Sequence, residues 1–139
     1  MADVVANFFE LGGLTFLGPF SQYMYKANLY LEAFLWIWLL PLLVLFIYYI
    51  IWDNIKWAKT GIWAILVTLL SLIVAVVCYC NANAGIYDYL NAHNVTKSKI
   101  EDIDYIYFAI ICFVWTWVVS FAMSLVLKFF SVKGRCVPF

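Results

Sequence analysis

The chain has 139 residues, of which 68% are hydrophobic and 12% charged, with a formal net charge of zero. Its mean hydropathy is +0.97. An ordinary soluble domain is about 45–50% apolar and about 25% charged, and a chain this short buries too little of its surface to hide so much apolar area. Those figures exclude a soluble globular enzyme domain and leave an all-α integral membrane protein of one domain.

Residues 1–28 form an N-terminal segment distinct from the rest. They do not read as a cleaved leader, because Asp3 and Glu10 interrupt the apolar residues and Gly12, Gly13, Gly18 and Pro19 break the run. Val4, Val5, Phe8 and Phe9 recur at helical spacing, and Gly12–Gly13 would end such a helix. Pro19 with Ser21 opens a second helix. The expectation is an interfacial amphipathic helix lying on the surface, followed by a re-entrant or interfacial turn.

Residues 29–139 are expected to form a three-helix transmembrane domain. Uncharged stretches cover 33–52, 60–80 and 105–127, and about 20 apolar residues cross a bilayer as a helix. Backbone groups in hydrocarbon must be satisfied internally, so these are helices rather than strands. Pro41 sits mid-way along the first; it removes a backbone donor and predicts a kink, making it a candidate hinge.

The link 53–59 is short and predicts an antiparallel hairpin. Trp52, Trp57 and Trp63 mark one interface there, and Trp36 and Trp38 the other. Trp115 and Trp117 fall mid-span and are expected to fill protein contacts. Between the second and third spans, 81–104 reads as a polar loop. Ser98 and Glu101 fit a capping box that starts the third helix near Lys99, with Ile100, Ile103 and Tyr107 along one apolar side. Asn94-Val95-Thr96 is a glycosylation sequon in the same loop, a match short enough to arise by chance.

Basic residues set the expected orientation. The 53–59 link and the C-terminal tail carry Lys56, Lys59, Lys128, Lys133 and Arg135, against Lys26, Lys97 and Lys99 on the opposite side. The positive-inside rule then places the N-terminus out and the C-terminus in the cytoplasm, in a bacterial inner membrane or a plasma membrane. Seven of the eight acidic residues fall on the N-terminal side, which is −4 (seven acidic, three basic) against +4 (one acidic, five basic) on the tail side.

Small and weakly polar residues recur along two spans. Ala64, Thr68, Ser71, Ala75 and Cys78 follow a four-three spacing; Cys112, Thr116, Ser120 and Ser124 lie four apart. Such stripes let membrane helices approach closely, and in an oligomer the same hydroxyls could line a pore. No HExxH, Ser-His-Asp set or phosphate-cradling loop stands out. His93 reads as a solvated loop residue, the cysteines as small core residues, and the C-terminus lacks a lipidation box. The expectation is a non-catalytic multi-span subunit, without cofactor or metal and not binding nucleic acid, that anchors or scaffolds a larger membrane assembly. Its partners would be membrane lipids, copies of itself or other subunits of a complex. The alternative is an oligomeric pore lined by the Thr and Ser of the second and third spans.

Overall fold

A computed structural model describes residues 2–10, 15–51, 60–93 and 100–128, and nearly all of them are helical. The elements are α1 (Ala2–Glu10), α2 (Pro19–Lys26), α3 (Leu29–Phe46) continued by a π-helical turn (Ile47–Ile51), α4 (Thr60–Ala92) and α5 (Asp102–Lys128). Three of these helices are long and apolar enough to cross a bilayer, over Leu29–Tyr49, Gly61–Ala92 and Asp102–Leu127, consistent with a membrane location.

Local chemistry explains most boundaries. Gly18 adopts φ +57° before Pro19, whose fixed φ suits the first helical position of α2. That helix stops at Lys26 because Asn28 turns left-handed at φ 56°, a conformation asparagine tolerates, and α3 departs directly from it. At α5 the Asp104 carboxylate accepts the Glu101 N–H at 3.3 Å, the backward-reaching half of a capping box. The start therefore falls at Asp102 rather than near Lys99, and Ile103 and Tyr107 are exposed on the outside of the helix. Ser98, the sequon, the 53–59 link and the C-terminal tail lie outside the described residues.

One element differs from expectation. The second span was expected to end at Cys80, yet α4 continues to Ala92 without a break. Its buried line runs on through Ala82, Ile86 and Leu90, each four residues apart, so the apolar stripe outlasts the fall in local hydropathy at Asn81, Asn83 and Asp88. Gly85 makes the extension fit, since a Cβ there would run into the Leu29 side chain. What looked like the start of a polar loop is a helix packed against α2 and α3, with Tyr89 near Tyr23.

Helix α1 packs one face on the bundle: Val5, Ala6 and Phe9 are buried, Phe8 stacks on Trp115 at 3.9 Å, and Phe9 stacks on Tyr30 at 5.5 Å. Trp115 lies thirteen residues into α5, about 20 Å along its axis. Adjacent aromatic side chains bury large areas and prefer ring partners, and Phe34, Trp115 and Phe108 supply them.

The long helices alternate in direction, so α3 meets α4 near Leu45 and Trp63 at one end and near Leu29 and Gly85 at the other. One core cluster joins all five helices; a smaller one gathers Leu45, Tyr48, Tyr49, Trp63 and Val67 around the π-turn. The α4–α5 contact is the most extensive. Pro41 is fully buried and α3 stays helical through it.

Candidate functional site

The stripe on α5 is buried along its whole length. Cys112, Thr116 and Ser120 have no exposure and Ser124 has 2%. Thr116 donates to the Cys112 carbonyl at 2.7 Å and Ser124 to the Ser120 carbonyl at 2.8 Å. On α4 only Ser71 and Cys78 of the five residues are buried, and Ser71 donates to the Val67 carbonyl at 2.8 Å. Cys78 and Cys112 are free thiols that face one another across the interface.

The remaining members of the α4 stripe are placed elsewhere. Thr68 is exposed and its hydroxyl returns to the Ala64 carbonyl at 2.8 Å; Ala64 and Ala75 are half-buried. The inward line of α4 is instead Trp63, Val67, Leu70, Val74 and Cys78, with large apolar side chains where small ones were expected. Trp63, on that inward line, reaches the α5 stripe: its Nε1–H donates to Ser124 Oγ at 3.0 Å, both buried. Of the tryptophans, Trp117 packs edge-on against Trp63 at 6.1 Å. His93 sits at the end of α4, stacked on Tyr89 at 4.3 Å, with Nδ1 donating to the Tyr89 carbonyl at 2.9 Å.

A second feature is polar. Between α1 and α2 lies a cleft of about 310 Å³ lined by Asp3, Ala6, Asn7, Glu10, Phe16, Ser21, Gln22, Tyr25 and Lys26. The Tyr25 hydroxyl donates to Asp3 Oδ1 at 2.5 Å, and the Tyr30 hydroxyl to Glu10 Oε1 at 2.9 Å. The hydrogen bond to Asp3, then the carboxylate's charge, hold the Tyr25 phenol protonated above its ordinary range. Ser21, 2% exposed, accepts the Leu17 N–H at 3.0 Å and steadies the turn into α2. Thr15 closes the end of α1, donating through Oγ1 to the Phe9 carbonyl at 2.7 Å and through N–H to the Glu10 carbonyl at 3.1 Å.

No protein-family model matches this chain, and neither the curated proteins nor the solved structures compared with it contain a match.

The sequence carries a signal for the cleft. Asp3, Asn7 and Glu10 fall four and three residues apart on α1, and Ser21, Gln22, Tyr25 and Lys26 cluster at the same helical spacing on α2. Two short helices with polar faces joined by a tight turn can set those faces opposite each other. The pairing itself depends on the path of the chain between them, which no local pattern fixes.

Proposed function

We propose that this chain is a non-catalytic membrane subunit that anchors or scaffolds a larger assembly by helix contact within the bilayer. The observation that carries this reading is where the hydroxyls go. Ser71, Thr116 and Ser124 donate to carbonyls of their own helices inside the closed α4–α5 interface. The outer faces are left to side chains such as Leu39 and Leu43 on α3, Ile65, Leu69 and Val76 on α4, and Ile106, Ile110 and Val126 on α5. Apolar helix faces of this kind meet lipid or other helices.

The same observation favours a scaffold over an oligomeric pore. A pore lined by these hydroxyls would require α4 to separate from α5, losing the buried Trp63–Ser124 bond and its surrounding contacts. Contact surface for another chain is available: an apolar groove of about 540 Å³ is lined by Phe8 of α1, Trp38 and Leu42 of α3, and Trp115, Val118 and Met123 of α5. The proposed orientation keeps the N-terminus out and the C-terminus cytoplasmic, with lipids and either copies of the chain or other subunits as partners.

Two measurements test the proposal together. Purified protein in planar bilayers should be electrically silent, and crosslinking in native membranes should trap the chain with a second copy or another subunit. Reproducible unitary conductance, or a chain recovered only as a monomer, would overturn it.

A further inference from the structure

We infer that the α1–α2 cleft binds a primary ammonium group, as carried by an ethanolamine headgroup or its soluble counterpart. The inference is independent of what the bundle assembles with. Its centre is Glu10, a half-buried carboxylate that accepts a hydrogen bond from a neutral phenol, that of Tyr30. Tyr30 is 4% exposed and belongs to the first turn of a candidate membrane span, so its hydroxyl fixes where Glu10 points. A carboxylate offers about four lone-pair sites; the Tyr30 bond occupies one. Among the described residues no ion pair neutralises Glu10. A partly buried charge of this kind is completed by an opposite charge with hydrogen bonds to give.

The rest of the lining sorts the ligands. Asp3, Glu10 and Lys26 give the cleft an excess of one negative charge, which favours a cation or a zwitterion over an anion. Asp3 and Glu10 are seven residues apart, about 10 Å along α1, too far apart for one metal ion to hold both. The lining offers acceptors in the carboxylates and the amide oxygens of Asn7 and Gln22, beside the donors of Lys26 and the same amides, and its two rings are Phe16 and Tyr25. That arrangement suits an ammonium with three N–H donors, and not a quaternary ammonium, which recognises a cage of aromatic faces. In an ethanolamine phospholipid the phosphate beside the ammonium would reach toward Lys26. Lys26 on its lining stands three residues before Leu29, where a candidate span begins, which puts that end of the cleft near headgroup level in a bilayer.

The experiment uses the full chain in nanodiscs containing equal amounts of ethanolamine and choline phospholipid, with lipids retained on the protein read by native mass spectrometry. In parallel, glycerophosphoethanolamine is titrated into the detergent-purified protein. The expected result is preferential retention of the ethanolamine lipid, reduced about tenfold by Glu10→Gln and unchanged by Glu32→Gln, which removes an exposed acid outside the cleft. Gln keeps an acceptor for Tyr30, and matching helix content and melting show that the fold persists. Should Glu10→Gln misfold, Gln22→Trp fills the cleft from an exposed position and is expected to give the same loss. Binding of the soluble compound with the same dependence on Glu10 assigns a soluble ligand; retention of lipid alone assigns a headgroup; either supports the site. Equal retention of the two lipids with no binding of the soluble compound, or binding indifferent to both Glu10→Gln and Gln22→Trp, overturns it.

Discussion

At the scale of single residues, the Tyr25–Asp3 hydrogen bond ties the end of α2 to the start of α1 and carries a definite pH signature. Because Asp3 holds the phenol protonated, the folded-state pKa lies above the unfolded one of about 10. Whatever this bond contributes is fully present below about pH 10 and is lost as pH rises through the folded value. Phenolate absorbance measured for the parent and for Tyr25→Phe isolates the titration of Tyr25 by difference. It should appear on the alkaline side of an ordinary phenol and move back to the ordinary value in Asp3→Asn. A Tyr25 that titrates normally in the parent would mean that α1 and α2 do not meet here. Both residues were visible in the sequence, but only as polar interruptions of an apolar segment. Twenty-two positions separate them, and nothing local pairs them.

At the scale of elements, what could be read depended on how far each helix relies on distant contacts. The three uncharged runs announced themselves, as did Pro19 at the start of α2. The twelve-residue continuation of α4 did not, since Asn81, Asn83 and Asp88 disguise an apolar line that still recurs at Ala82, Ile86 and Leu90. Helix α1 is the sharper case. Its nine residues announce an apolar face, and only the fold shows that this face meets the rings of Phe34, Phe108 and Trp115. That placement is testable by proximity. In a background with the native cysteines replaced, Phe8→Cys with Trp115→Cys should be joined within one chain by a short bifunctional thiol reagent. Val4→Cys with Trp115→Cys, which puts one thiol on the outward side of α1, should not. Joining of neither pair, or of both equally, would mean that Phe8 does not pack on Trp115.

At the scale of the whole molecule, the two small-residue stripes have separate consequences that a sequence pattern runs together. Helical spacing alone cannot say which side of α4 turns inward, because the four-three rhythm of Ala64, Thr68 and Ser71 is shared by Trp63, Val67 and Leu70 one position earlier. Packing chooses the larger set: Trp63 reaches Ser124, Val67 and Leu70 fill the interface, and Thr68 faces outward. A leucine at the two kinds of position should therefore act differently. Ser120 has no exposure, and the larger side chain must displace its neighbours, at a cost of about 1–3 kcal/mol. Thr68 is exposed and its hydroxyl serves its own helix, so Thr68→Leu should change stability by less than about 0.5 kcal/mol. Reversible unfolding in detergent separates these outcomes in the monomer, and crosslinking in membranes then reads assembly for variants that fold. Should Ser120→Leu leave monomer stability untouched while altering assembly, the α5 stripe is an interface between chains and the closed α4–α5 packing is wrong. Should Thr68→Leu fold normally but alter assembly, the outer face of α4 is where the scaffold meets its partner.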